Sequence, residues 1–88
     1  MDEKIKLIEK YYREIKNHRV EIANKKVLKA KAKVGAWTEA EGTAKQKEDY
    51  VKSAISEIEK DIDLLEAYIE FAYNMINIFT YELELSDE

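Results

Sequence analysis

Apolar residues recur with a seven-residue period through the second half of the chain. They fall at alternating steps of four and three residues, which is the spacing of a coiled-coil helix rather than the two-residue alternation of a β-strand. The pattern predicts one long amphipathic helix over residues 44–84, roughly 60 Å in length. The two sets that form the repeat are Ile55, Ile62, Ile69, Ile76 and Leu83, and Val51, Ile58, Leu65, Ala72 and Phe79.

The start of this helix has a sequence signal of its own. Thr43 and Gln46 have the spacing of a capping box. In that motif the hydroxyl accepts a hydrogen bond from an early backbone N–H, and the Gln46 side chain returns to the N–H of the N-cap residue. We therefore expect the helix to begin at about residue 44.

The first half also has a helical pattern, but its apolar positions are less regular. They advance by about 3.6 residues on average, with Arg19 as an interruption. Gly35 is a typical C-terminal stop, because glycine accepts the left-handed backbone conformation. The pattern predicts a helix over residues 3–34, a turn over 35–43, and Trp37 covering the end of the core between the helices. The positions of this face are Ile8, Tyr12, Ile15, Arg19, Ala23, Val27, Ala30, Val34 and Trp37.

Opposite charges divide the chain. Residues 1–35 contain eleven Lys/Arg and five Asp/Glu, a net charge of +6, whereas residues 36–88 contain four Lys and fourteen Asp/Glu, a net charge of −10. A short connection makes neighbouring helices antiparallel, and the charges favour the same arrangement. Each exposed ion pair is worth only ~0–1 kcal/mol, so burial of the apolar seam supplies the stability. We expect an all-α protein, with residues 1–88 as a single helical domain folded as an antiparallel, coiled-coil-like helical hairpin.

The two predicted helices differ in length. If they pack side by side from the turn, residue 5 lies near residue 73, and the chain beyond about residue 75 projects past the first helix. Three arrangements would cover this apolar end: dimerisation into a four-helix bundle, a break near residues 74–77 that makes a three-helix bundle, or another protein. We expect the dimer, or a second protein bound to the same residues. The predicted interface consists of Tyr68, Phe71, Met75, Ile76, Phe79 and Leu83.

The composition argues against catalytic chemistry. The chain has no cysteine, which excludes disulfides, thiolate catalysis and Cys-ligated metals. His18 is the only histidine, no Glu-x-x-His motif is present, and the serines have no recognisable nucleophile context. The longest apolar-rich stretch, residues 68–81, is too short to cross a membrane. We therefore expect a non-enzymatic cytoplasmic protein with no catalytic residues, no cofactor and no metal.

A protein-interaction module or accessory factor is the function class that fits these features best. Such a module self-associates or binds a partner protein through the apolar C-terminal part of its second helix. One alternative is a small acidic inhibitor or regulator of a nucleic-acid enzyme, of the kind that a phage encodes, in which an acidic helix occupies a basic groove. The residues of its charge-mimicking face would be Glu57, Glu59, Asp61, Asp63 and Glu66.

Nucleic-acid binding through a lysine cluster is a third hypothesis. Cations on one part of a helix are typical of contacts with the phosphate backbone. The overall net charge of −4 and the lack of aromatic residues interleaved with the lysines disfavour it. The lysines concerned are Lys25, Lys26, Lys29 and Lys33.

Overall fold

Two long α-helices account for nearly the whole chain. The computed structural model describes residues 2–86, in which helix α1 is Asp2–Glu39 and helix α2 is Ala44–Ser86. They run antiparallel in a rod that measures 68 × 17 × 12 Å, and no strand occurs within residues 2–86. The prediction of an all-α helical hairpin is therefore confirmed.

The turn between the helices consists of residues 40–43. Gly42 has a φ of 105°, in the left-handed region that glycine adopts readily. The backbone N–H of Gln46 donates to Thr43 Oγ1 at 3.2 Å, and the backbone N–H of Thr43 donates to Gln46 Oε1 at 2.9 Å. This reciprocal pair is the predicted capping box, and α2 begins at the predicted residue.

The predicted helix stop at Gly35 is wrong, because α1 continues through this residue to Glu39. Glycine ends a helix where the backbone turns left-handed, and in this chain that happens at Gly42. Gly35 is helical, and no neighbouring atom lies within 4 Å of the position that a Cβ there would occupy. The additional helical residues include Ala36, which is buried, so the hairpin gains a further layer of its core near the turn.

The face that α2 presents to α1 is the predicted seven-residue repeat. Every position of that repeat from Val51 to Leu83 is buried or half-buried. Burial of apolar surface stabilises the folded state by roughly 25 cal/mol per Å², so this seam is the main source of stability. Its most buried members are Ile55, Ile62, Ala72 and Ile76.

The face that α1 presents to α2 differs from the predicted one. Apart from half-buried Glu14, its buried and half-buried residues follow the same steps of four and three, because contact with a seven-residue repeat along its length requires the same period in both helices. A progression of 3.6 residues drifts away from that seam by about 20° per heptad. Of the predicted positions, Ile8 and Ile15 lie on the observed seam, and the others are exposed: Tyr12, Arg19, Ala23, Val27, Ala30, Val34 and Trp37. The observed seam of α1 is Lys4, Ile8, Tyr11, Ile15, His18, Ile22, Lys25, Lys29, Ala32 and Ala36.

The predicted projection of α2 past the first helix is also wrong. Lys4 Nζ lies 3.0 Å from Glu82 Oε2, so the first turn of α1 is level with the last turns of α2. The two helices match in length because α1 extends to Glu39 and the turn has only four residues. Contact between α1 and α2 therefore begins close to the turn. The alternative of a third helix is wrong for the described chain, since α2 continues unbroken through residues 74–77.

The core of the hairpin is uneven along its length. A tightly packed cluster lies in the half farther from the turn, where Ile15 meets Ala72 and Ile76. Ala72 has 0% of its surface exposed, which makes it the most buried residue of the core. The half nearer the turn has Lys25, Lys29 and small alanines on the α1 side of the seam. The half with the larger core is also the half that contains the aromatic residues of the candidate site. The partly buried side chains around the cluster are Ile8, Tyr11, Ile69 and Tyr73.

Candidate interaction surface

A second apolar row follows α2 beside the seam. Each member lies either two residues after or one residue before a seam residue of α2. The row is therefore rotated by about a quarter of a turn around the helix from the seam with α1. Its members too are spaced by four and three residues, except that Glu82 occupies the position before the last one. We call this set the second row of α2. It consists of Leu64, Tyr68, Phe71, Met75, Ile78 and Leu85.

The second row of α2 is exposed along most of its length. Leu64 has 72% of its surface exposed, and Phe71, Ile78 and Leu85 each have about half exposed. Met75 is half-buried. Isolated apolar residues on a surface are common, but a row of six with helical spacing, interrupted only at Glu82, is typical of a contact site.

Helix α1 holds one aromatic member of the row in place. Tyr68 Oη donates a hydrogen bond to Glu14 Oε2 at 2.8 Å, and the His18 ring packs edge-on against the Tyr68 ring with centroids 4.7 Å apart. The hydrogen bond to the Glu14 carboxylate raises the pKa of the Tyr68 phenol, because it stabilises the protonated form. Partial burial and the negative charge of Glu14 act in the same direction. Tyr68 is thus a neutral, oriented ring at physiological pH.

Further ring contacts connect the row to the seam. The Phe71 ring lies 5.9 Å from the Tyr68 ring and meets Tyr11 edge-on at 6.3 Å. Tyr11 also stacks on Phe79, with centroids 6.3 Å apart. Aromatic pairs at these separations are favourable by about 0.5–1.5 kcal/mol beyond their area burial. The centre of the second row is therefore preorganised by contacts within the hairpin.

A shallow groove lies beside the row, between the two helices. It is lined by Glu14 and His18 from α1 and by Leu64, Leu65 and Tyr68 from α2. The floor is therefore apolar, and a single carboxylate stands at its α1 edge. A side chain from another helix fits such a groove in the way that a knob fits a hole of a coiled coil.

The structure divides the predicted interface residues between two faces of α2. Tyr68, Phe71 and Met75 lie on the second row. Ile76 is buried in the hairpin core, and Phe79 and Leu83 are half-buried in the seam with α1. This corrects the expectation that those last three residues face a partner, because the matched length of α1 already covers them.

Three members of the second row were absent from the predicted interface. They are Leu64, Ile78 and Leu85, although Leu64, Phe71, Ile78 and Leu85 are separated by seven residues each. A search for a second seven-residue repeat, offset from the first by two positions, would have found them.

The acids of the proposed charge-mimicking face are partly paired within the hairpin. Glu59 Oε1 lies 3.3 Å from Lys29 Nζ, and Asp61 Oδ2 lies 3.3 Å from Lys25 Nζ. Glu57 lies 3.4 Å from Lys60 on the same helix. These ion pairs neutralise much of the negative charge that would attract the basic groove of an enzyme. Asp63 and Glu66 are exposed members of the same face.

The lysine cluster is divided in the same way. Lys25 and Lys29 are half-buried seam residues whose ammonium groups pair with α2. Lys26 and Lys33 are exposed beside the seam. Two of the four ammonium groups are therefore already paired with carboxylates of the hairpin, which weakens the case for binding nucleic acid.

The outward side of α1 has an apolar strip of its own. Val34 has 69% of its surface exposed, and Trp37 has 44% exposed. Lys47 Nζ lies 5.2 Å from the centre of the Trp37 ring, at a distance typical of a cation–π contact. The expectation that Trp37 covers the end of the core is therefore wrong, and buried Ala36 occupies that position. The strip, which we call the outer strip of α1, consists of Val20, Ala23, Val27, Ala30, Val34 and Trp37.

Two other kinds of site are absent from the described part of the chain. Within residues 2–86, no group of three or more His, Cys, Asp or Glu side chains is arranged to hold a metal ion. No helix among these residues combines the length and apolar character needed to cross a bilayer.

Comparison with known proteins adds no further information on the surface. Protein-family models, curated proteins and solved structures give no match to this chain. The function is therefore inferred from the exposed second row of α2.

Proposed function

We propose that this protein is a helical protein-interaction module, whose second row of α2 binds a helix of another polypeptide chain. Its expected place of action remains the cytoplasm. The proposed function is the docking of a complementary apolar helix, which involves no chemical reaction.

The observation that supports the proposal is that α2 has two apolar faces. One seven-residue repeat is used in the contact with α1, and a second, offset repeat remains exposed. A helix in a two-helix hairpin requires only one such face. Helices with two adjacent apolar faces are typical of bundles of three or more helices, so the second row supports a further helix outside this hairpin.

Preorganisation supports the same proposal. The rings of Tyr68 and Phe71 are oriented by Glu14, His18 and Tyr11 before any partner binds. Ordering this surface on binding would therefore cost little conformational entropy. The outer strip of α1 has weaker features, because it consists mostly of alanine and valine and offers less area for each side chain.

The proposal is tested by placing a charge in the centre of the row. Phe71→Glu is expected to weaken association with any partner chain by at least about 100-fold, because a carboxylate would be desolvated in the contact. Association is measured by analytical ultracentrifugation of the purified protein and by capture of proteins from a source-cell extract. Circular dichroism checks that the variant is still helical.

Val27→Glu is the matched control for this change. Val27 has 55% of its surface exposed, close to the 49% of Phe71, but it lies on the outer strip of α1. The control is expected to associate like the unaltered protein. The proposal fails if Phe71→Glu leaves every association unchanged, or if Val27→Glu reduces association as strongly.

A further inference from the structure

We infer that the helix bound by the second row is α2 of a second copy of this chain, antiparallel to the first, about a two-fold axis that passes between Asn74 and Met75. This inference rests on the proposed function and names its partner. It follows from the order of residues along the row and from the charges beside it.

The second row is nearly symmetric about a point between Asn74 and Met75. In an antiparallel pair centred there, Phe71 of each copy meets Ile78 of the other, and Leu64 meets Leu85. Met75 meets itself close to the axis, where its flexible side chain adapts to the close contact. Five of the six members of the row thus have an apolar residue opposite them, as a self-complementary two-fold interface requires, and Tyr68 alone faces a charged residue, Glu82.

The charged positions in line with the row favour the antiparallel direction. Glu82 lies within the row, and Asp61 lies just before it. A parallel pair would place Glu82 against Glu82 and Asp61 against Asp61, which is repulsive at a seam. The antiparallel pair places Glu82 opposite Tyr68 and moves Asp61 beyond the overlap. Glu82 is in addition paired with Lys4 of its own chain at 3.0 Å.

The outer edge of the row is free of charge over the same stretch. The residues that lie three positions after Leu64, Phe71 and Ile78 form this edge, and each is exposed. They are Ala67, Asn74 and Tyr81. In the antiparallel pair Ala67 lies beside Tyr81 of the other copy, and Asn74 lies beside Asn74. No like charges therefore meet at this edge, although α2 as a whole is strongly acidic.

The available area sets the expected strength of the dimer. Large side chains bury about 150–250 Å² each when covered, so six that are roughly half exposed offer on the order of 500 Å² per subunit. Two copies would bury on the order of 1,000 Å², near the lower limit of ~1,200 Å² for specific interfaces. We expect a dimer that forms at micromolar concentration and dissociates on dilution. The two-fold contact uses the row completely, so association stops at two copies.

The direction of pairing is tested by cross-linking at the uncharged edge. The natural chain has no cysteine, so an introduced one is the sole thiol. Ala67→Cys and Tyr81→Cys change exposed edge residues and leave the second row intact. The two variants are mixed, one of them with a tag that alters its size on a gel, and treated with a short bismaleimide.

The inferred pairing predicts mainly the mixed product, which joins position 67 of one copy to position 81 of the other. Self-linked Ala67→Cys should be scarce, because the two copies of position 67 are roughly 20 Å apart along the helices. Asp63→Cys, on the polar side of α2, is the control and should give little product. Self-linked products from both variants would indicate parallel pairing and would overturn the inference.

Ultracentrifugation separates this inference from the proposed function. A chain that stays monomeric throughout the micromolar range overturns self-pairing. If Phe71→Glu then abolishes capture of another protein while Val27→Glu does not, the second row is still a docking site and its partner is a different chain. A native dimer that Phe71→Glu leaves intact overturns both proposals.

Discussion

Single residues decide how closely the two helices approach. Ala72 is fully buried beside Ile15 and Ile76, where a larger side chain has no free space. Because protein interiors are close-packed, an added side chain at this position has to displace its neighbours or the facing helix. A small residue at the centre of the largest core cluster thus sets the spacing at which α1 and α2 pack.

We therefore expect Ala72→Leu to lower the free energy of unfolding by about 1–3 kcal/mol, the usual effect of overpacking a core. Ala67→Leu is the matched control, because Ala67 is exposed five residues earlier on the same helix. Its effect should stay within about 0.5 kcal/mol. Urea denaturation followed by circular dichroism measures both variants. Equal stability of the two variants would show that the core at Ala72 has room to spare.

Backbone conformation decides where each element begins and ends. The two glycines occupy different environments, since Gly35 lies in regular helix and Gly42 has a positive φ in the turn. A Cβ on Gly42 would also collide with Gln46 Oε1, which closes the capping box of α2. The two positions therefore respond to alanine in opposite directions.

Gly42→Ala should destabilise the hairpin by about 1–2 kcal/mol, because alanine is strained in the left-handed region. Gly35→Ala should stabilise it by about 0.4–1 kcal/mol, because it restricts the unfolded chain and meets no neighbour in the fold. Thermal unfolding of the pair under identical conditions is the measurement. A stabilising Gly42→Ala would contradict the conformation described for the turn.

The elements also show which parts of the structure the sequence determines on its own. The repeat and capping box of α2 were predicted correctly, because both are local patterns of residue types. The face of α1 was predicted incorrectly at most positions, and at every one beyond Ile22, because two patterns overlap there. Val27 and Val34 belong to the apolar face that the sequence predicts. The seven-residue period of α2 instead places Lys25 and Lys29 in the seam.

Lysine at a seam position was the feature that sequence reasoning could not anticipate. A long apolar stem lies along the seam while the ammonium group reaches a carboxylate at its edge, here Asp61 or Glu59. The error in the predicted interface had a different cause, which is the helix stop predicted at Gly35. Once α1 was predicted too short, Ile76, Phe79 and Leu83 were left without a cover that α1 in fact provides.

At the scale of the whole molecule, opposite charges align the two helices. Ion pairs between α1 and α2 extend from Lys4–Glu82, at the end of the rod opposite the turn, to Lys29–Glu59, ten residues before the end of α1. Each involves partly exposed side chains, so its contribution is small and depends on screening by salt. Their joint effect is to fix the register of a seam that repeats every seven residues.

Stability should therefore fall modestly as salt is raised. Between about 0.01 M and 1 M NaCl the screening length decreases from ~30 Å to ~3 Å, and we expect a loss of about 1 kcal/mol in the free energy of unfolding. Urea denaturation of Phe71→Glu at both salt concentrations measures the effect without self-association. The same variant with Lys25→Gln and Lys29→Gln should show a smaller dependence. A hairpin that becomes more stable at high salt would indicate that repulsion within α2 outweighs attraction between the helices.

The uneven core has a consequence for how the chain reaches this fold. The largest apolar cluster joins residues 8–15 to residues 69–76, which are among the most widely separated partners along the chain. Contacts that form early, close to the turn, are the ones with lysine and alanine on the α1 side. Because a long loop must close before the strongest contacts are made, the search is entropically costly. This hairpin should thus fold more slowly than its simple helical topology suggests, and its contacts should open last in the half farther from the turn.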